Sequence, residues 1–429
     1  MTKFQLILTG IFGIFLIGGV IIFSAYRGSA GDKVTLTIWG SVPAVDFSKI
    51  VESTSLKENK TLELQYTEIS EDEFDQTFIE ALASGTGPDL FILPSDKIVK
   101  HKNKIFVIPY SVFTQRQFKD AFIEGAEIYT SPEGVMALPV VVDPLVMYWN
   151  RSIFNSAKIT QPPKYWDEFY SLANIISIKD GALNIQKSAV AFGEFGNVSH
   201  AKEIIATLAM QAGTPITTWQ GNEIKSTFSY SFNKPTIPAE AAVNFYTEFS
   251  NPAKPSYSWN RSLPASYNYF LGGDLALYFG FASEIASLQL KNPNLNFDVG
   301  KVPASRESSE EGLDVVYGRF YALAITKSSK NPNVAFAAAS VLIGEGASSW
   351  SDALRLPPVS RNLLSTRQTD AYKSIFYDSA IRARAWFDPE PNQSNGVFRS
   401  MIESITSGRA RVSESVTRAS RELDGLLAK

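Results

Sequence analysis

His101 and His200 are the only imidazoles in 429 residues, and they stand far apart. Neither carries metal-ligand spacing around it, so neither a metal site nor a His-based nucleophile is expected. Ser199 and Lys202 fit Ser-x-x-Lys, a pattern of acyl-transfer enzymes, but the Lys-Thr-Gly that accompanies it is missing. Ser199 reads better as the cap of the helix that follows. The glycines of "SGTGPDL" precede a strand, whereas a phosphate cradle follows one and opens a helix, so this is a helix-to-strand turn. "KHKNK", residues 100 to 104, reads as a solvated loop. What remains is a scatter of aromatic and short polar side chains at element ends, Trp39, Asp96, Asp143, Trp259, Arg319 and Trp386. Such a set can stack flat apolar faces and hydrogen-bond many hydroxyls, which is what a sugar requires.

The elements that must position these residues alternate. "KVTLTIWGS" and "LELQYTEIS" have strand alternation, "EDEFDQTFIEALASG" puts Phe74, Phe78 and Leu82 on one helical side with Gly85 as its stop, and "PDLFILPSD" is a short buried strand. Strand, helix and strand in turn are the signature of an α/β layer. "PPKYWDEFYSLANII" spaces Trp166, Phe169, Tyr170, Ala173 and Ile176 as a core-facing helix, and residues 211–270 read as turns and short elements. "YALAIT" is another strand, Asn331 and Pro332 open a further helix, and the last 50 residues look helical.

One stretch resists this simple reading. "LPVVVDPLVMYWNRSIF" is strand-like for most of its length, yet Asp143 and Pro144 sit in its middle. A proline cannot donate to a ladder and a buried charge is costly, so a central strand should exclude both. Either this is an edge strand with a bulge, or the chain here leaves one sheet and enters another.

The length calls for two or three domains at roughly 150 residues each. With 40 basic against 43 acidic residues, nothing advertises nucleic acid. Charged residues make up only 19%, so a ligand met by a dense cluster of opposite charge is not foreseen. The absence of cysteine excludes disulfides, thiolate chemistry and a cysteine-linked lipid. Phe4 to Tyr26 is an uncharged run of 23 residues, about 35 Å as a helix, long enough to cross a bilayer and longer than an ordinary secretory signal. We expect an uncleaved single-pass anchor in the cell membrane with the bulk of the chain outside, although Gly28-Ser29-Ala30 would serve as a cleavage site.

Six segments together resemble the extracellular solute-binding proteins of sugar-type ABC importers, the family of maltose-binding protein. They are "GTGPDLFIL", "SPEGVMALPVVVDPLVMYWNRSIF" with "PPKYWDEF", "FLGGDLALYFG", "YALAITKSSKNPNVAFAAASVLIG", "LRLPPVS" and "MIESITSGRARVSESVTRASRELDGLL", in the family's order. The resemblance implies an α/β, two-lobed periplasmic-binding-protein fold of type II behind an N-terminal transmembrane helix. It implies an anchor and linker over 1–32, a first lobe of 33–142 plus 323–348, and a second of 143–322 plus 349–429. Residues 141–146 and 321–326 would be the paired crossings, with Asp143 facing the cleft, solvated in the open form.

The resemblance also places Trp39 and Ser41 at the first contact loop, Asp96 and Lys97 at an acidic and a basic sugar ligand, and Asp143 beside the first crossing. With Trp259, Phe281, Arg319 and Trp386 these complete the expected substrate-binding set. Leu93 and Ala282 stand where malto-oligosaccharide binders often carry stacking tryptophans, which argues against maltodextrin. The expectation is a tethered, non-enzymatic receptor that takes a neutral carbohydrate, needs no cofactor or metal, and hands the ligand to an ABC permease. A sensing or adhesion module of the same fold is the alternative, and a carbohydrate-active enzyme using paired carboxylates is a further one.

Overall fold

A computed structural model describes residues 33–310 and 312–428. The expected membrane anchor at Phe4 to Tyr26 lies outside the described residues, among which no helix is long and apolar enough to cross a membrane. The described chain is a mixed α/β structure in two lobes. The main sheet runs in the order Leu62–Glu68, Val34–Gly40, Leu90–Pro94, Val316–Ile325, Leu138–Asn150, Leu275–Phe281, Ile185–Val190, Ile178–Lys179. Its first three strands are parallel, with helices Ala44–Glu52 and Glu71–Ser84 between them, as the alternation foretells. Gly85 ends the second of these helices at φ 75°, in the left-handed region glycine tolerates, so "SGTGPDL" is the turn expected.

Leu138–Asn150 is one strand of 13 residues, with a register shift opposite Tyr321 and Ala322 that leaves Val140 unmatched. Residues up to Pro144 pair with Val316–Ile325, whereas Leu145 onward pair with Leu275–Phe281 and Phe297–Gly300. The partner changes between Pro144 and Leu145. Pro144 is the last residue paired with one neighbour and directly precedes the first paired with the next, so its missing N–H falls at the end of a ladder rather than inside one. The returning strand, Val316–Ile325, makes its own change near Gly318: Val316 and Tyr317 pair with Ala383–Arg384, and Tyr321 onward with Leu90–Pro94. The residues opposite Asp143 and Pro144 are therefore Arg319 and Gly318, so the second crossing lies nearer 318 than 321–326.

Two apolar cores divide at the same points. One holds Ile38, Phe91, Tyr129, Val142 and Phe320, the other Leu145, Tyr148, Phe169, Phe279 and Tyr317. Trp350, Leu356, Val359 and Leu364 pack in the first core. The 211–270 region contains a hairpin, Thr217–Gln220 with Glu223–Ser226, and an 11-residue helix, Pro238–Glu248, which the sequence reading did not separate from its turns. Tyr170 is 39% exposed and stacks on Phe249 rather than facing the core.

Candidate functional site

The strands of the first lobe end at the lobe junction and deliver short polar groups there. After Leu90–Pro94 the buried Ser95 accepts the N–H of Phe320 at 3.1 Å, which locks the following residues to the second crossing strand. Asp96 then receives Arg319 Nε at 3.2 Å. The same guanidinium donates to Glu71 Oε2 at 3.0 Å and to the Tyr321 hydroxyl at 3.2 Å, and lies over the Tyr321 ring. Burial works against the Arg319 charge, but Asp96, with Tyr321 and Glu71, more than compensates and raises its pKa. Lys97 turns away from Asp96 and pairs with Asp75 at 3.2 Å. Asp75 also holds Lys100 at 2.8 Å and His101 at 3.0 Å. Burial would raise the Asp75 carboxyl, yet hydrogen bonds from His101 and Lys100 hold it well below the usual carboxylate range.

"KHKNK" is therefore no solvated loop. His101 is 1% exposed, Lys100 bridges Asp75 to Glu390, and Lys104 donates to the Lys100 carbonyl. Ser41, with Glu71, Pro94, Lys97 and His101, lines a small cavity on this wall. Trp39 lies half-buried against the first core.

The second lobe builds the opposite wall from the end of Leu275–Phe281 and the turn that follows. Asp143 accepts the Ser283 N–H at 3.1 Å. Glu284 takes the Phe281 N–H at 2.8 Å, the Tyr278 hydroxyl at 2.6 Å and His200 Nε2 at 2.6 Å. His200 has a left-handed backbone, φ 57°, and its ring stands edge-on to Phe281 with centroids 4.9 Å apart. A non-glycine residue in that region stores strain that its surroundings must offset. Burial opposes both charges of the His200–Glu284 pair, and each partner restores the other's, so the imidazole pKa is raised and the carboxyl lowered.

Asp143 differs. It is only 5% exposed, and burial pushes its pKa up to about 6 despite the bonds from Ser283. The expectation of a solvated, cleft-facing Asp143 is corrected: it is a buried carboxylate tying the first crossing strand to the turn that carries Phe281 and Glu284.

Beneath these groups Lys202 Nζ pairs with Asp388 at 2.8 Å, both nearly buried, and Ser394 donates to the same carboxylate. The Ser199–Lys202 pattern thus has no chemistry of its own. Ser199 does not cap the helix Ala201–Ala212 either, since His200 occupies that position without a side-chain cap.

Of the expected contacts, the structure brings Asp96, Asp143 and Arg319 together at the junction, with Ser41 and Lys97 on one wall and Phe281 on the other. Trp259 and Trp386 do not belong there. Trp259 is fully buried with its indole N–H on Asn197 at 3.1 Å, and Trp386, 2% exposed, packs on Phe398 under Lys202. Large aromatic rings gain more from burial in the second core than position at a strand end reveals. Sequence reasoning missed Glu71, Glu284, Lys202 and the pairing of His200, because no local spacing joins them. Among the described residues no group of side chains is arranged to hold a metal ion.

A two-lobed α/β chain with its polar groups gathered where two strands cross between lobes is the architecture of a solute-binding protein. The match to known families agrees: residues 47–348 fit the bacterial extracellular solute-binding proteins, and the chain belongs to that family. A binding protein of Brucella abortus (strain 2308) is 24% identical over 158 residues, which is 36% of this chain and 38% of that relative's length. The chain thus matches well under half the length of such relatives.

Solved structures share the fold over nearly all of both chains. A cyclo/maltodextrin-binding protein complexed with maltotetraose superposes with a TM-score of 0.72 at 15% identity, covering 93% of this chain and 98% of that one. The cyclic alpha-maltosyl-1,6-maltose binding protein of Arthrobacter globiformis gives 0.72 at 15% identity, over 92% and 99%. The sugar-binding protein MalE of Xanthomonas citri gives 0.69 at 17%, over 92% and 98%.

Proposed function

We propose that this protein binds a carbohydrate between its lobes and delivers it to an ABC permease, held at the outer face of the cell membrane by its N-terminal apolar segment. One observation carries the reading. At the junction the cations Arg319, Lys97, Lys100 and Lys202 each already have a carboxylate partner. A site whose cations are each already paired offers hydrogen bonds without a free positive charge, which favours a neutral polyhydroxylated ligand over an anion. Phe281 supplies an aromatic face, and Ser41, Asp96, Lys97, Arg319 and Trp39 supply hydroxyl partners and flanking surface, while buried Asp143 holds the turn that carries Phe281.

In this reading the lobes comprise 33–142 with 323–348 and 143–322 with 349–429. The packing of Trp350, Leu356, Val359 and Leu364 favours giving 349–364 to the first lobe instead.

The test is a thermal-shift screen of the full chain in mild detergent against mono- and oligosaccharides, peptides, polyamines and organic anions. A ligand at about 100 times its Kd adds about 2.7 kcal/mol and moves the midpoint by a few degrees. A response confined to sugars supports the proposal, and one confined to peptides, polyamines or anions defeats it. Intact mass of the membrane-bound protein tests the anchor, which a mature chain starting near Gly31 and free in the medium would exclude.

A further inference from the structure

One hydroxyl at the junction has no hydrogen-bond partner among the described residues. Residues 317, 319 and 321 project from one face of the strand Val316–Ile325, the face on which Arg319 meets Asp96 and Tyr321. Tyr317 is only 5% exposed, and its ring stands edge-on to Phe281 at 6.2 Å. The backbone N–H of Tyr317 is bonded, but its phenol is not, whereas the phenols of buried Tyr129, Tyr148, Tyr246 and Tyr278 all donate. A buried hydroxyl left without a partner is costly, so this one calls for a group from outside the chain.

The helix Ala201–Ala212 runs alongside. Thr207 Oγ1 accepts the Tyr317 N–H at 3.0 Å and donates to the Glu203 carbonyl at 2.9 Å. Glu203 stands four residues before Thr207, and so on the helical face that meets Tyr317. Its carboxylate makes neither an ion pair nor a hydrogen bond among the described residues. The nearby cations are taken: Lys202 by Asp388 at 2.8 Å, and Arg319 by Asp96 and Glu71. Burial first, then the carboxylates of Asp96, Glu203 and Asp388, push the Tyr317 pKa well above its ordinary value, with Arg319 opposing. The surroundings of this hydroxyl therefore carry more acid than base.

From this arrangement we infer that the carbohydrate carries a basic amino group, seated between the Tyr317 hydroxyl and the Glu203 carboxylate. The inference rests on the carbohydrate reading and refines it. Paired groups such as Arg319 and Asp96 meet the ligand's neutral hydroxyls, and one ammonium meets the acid that lacks a cation. An ammonium has three donors, enough to satisfy a carboxylate and a phenol together. A sugar hydroxyl could fill the same space, but it would leave the Glu203 charge uncompensated as the ligand desolvates it. A metal ion would need several ligating groups to converge, and none do so among the described residues.

Matched pairs test this on the full chain in mild detergent: D-glucosamine against D-glucose, D-galactosamine against D-galactose, and chitosan trimer against cellotriose, each amine also as its N-acetyl form. In calorimetric titration at least one amine should bind about tenfold more tightly than its parent sugar, and its N-acetyl form no more tightly than that sugar. Glu203→Gln should cost the amine about tenfold more than it costs the parent sugar. A Glu203 with a merely structural role would weaken both alike. Tyr317→Phe keeps the ring and removes only the hydroxyl, so it should lower amine affinity several-fold with the urea midpoint little changed. Amines that bind no better than their parent sugars overturn the amino group and leave the carbohydrate reading standing. Silence from every amine overturns it too, whatever else binds, and binding of spermidine alone removes both readings.

Discussion

Arg319 stands directly opposite Asp143 across the two crossing strands, yet its guanidinium is committed to Asp96 at 3.2 Å and Glu71 at 3.0 Å. Asp143 is left with the Ser283 N–H as its close partner and no bonded cation. One charge at the crossing is compensated and the other is not. Their opposite behaviour on mutation follows.

Replacing Asp143 by Asn should stabilise the ligand-free protein at neutral pH. Its folded pKa, about 6, lies above the ordinary 3.8, so the folded state holds the proton more tightly than the unfolded. The stabilisation from the protonated form is complete below about pH 3.8 and is lost as pH rises through about 6. Ionised Asp143 thus costs up to about 3 kcal/mol at pH 7.5, of which we expect Asp143→Asn to recover about 1–2 kcal/mol. Urea denaturation at pH 7.5 and 4 reads it. Equal destabilisation at both pH values would contradict the assignment.

Arg319→Met should do the reverse. It strands Asp96 and Glu71 without their cation, for a loss of about 2–4 kcal/mol, held below the figure for a sealed pair because Glu71 is 40% exposed. Adding Asp96→Asn should return part of the loss. A double-mutant cycle with no coupling would show that the pair is incidental.

The two histidines should titrate on opposite sides of 6.5. Burial, aided by Lys104 and Lys97, lowers His101, whereas Glu284 raises His200 against its burial. Two imidazole signals in an NMR titration report this directly, and Glu284→Gln should lower only the higher pKa. The pair stabilises the fold where Glu284 is ionised and His200 protonated. His200 contributes fully below 6.5 and loses its contribution as pH rises through its raised folded value. Glu284 contributes above 4.5 and loses its part as pH falls through its lowered one. The Tm deficit of Glu284→Gln should therefore be greatest between pH 4.5 and 6.5 and shrink in alkali.

Gly318→Ala tests the crowding at the second changeover. A Cβ there would lie 2.7 Å from Ala383 Cβ and 2.9 Å from Val142 Cγ2, so the crossing strands and the Ala383–Arg384 strand must separate. Overpacking of this kind costs about 1–3 kcal/mol, and a urea midpoint equal to the parent's would mean the junction yields freely.

The alternating elements, the Glu71–Ser84 helix with its Gly85 stop, and the strand-like character of 138–150 were legible in the residues themselves. Side-chain periodicity and capping act within a few positions. The oddity of Asp143-Pro144 was legible too, as a conflict between strand and charge. How it resolves came only through the family resemblance, which implied a crossing at 141–146, because the change of sheet depends on which strands lie alongside. Nor could sequence place the charges. Arg319 finds Asp96 across 223 positions and Lys202 finds Asp388 across 186. The same holds for the tryptophans, whose position at element ends looks identical whether the ring faces a cleft or, as at Trp259 and Trp386, a core. Local order is written in neighbours along the chain, whereas burial and charge pairing are decided by neighbours in space, which exist only once the two lobes have packed.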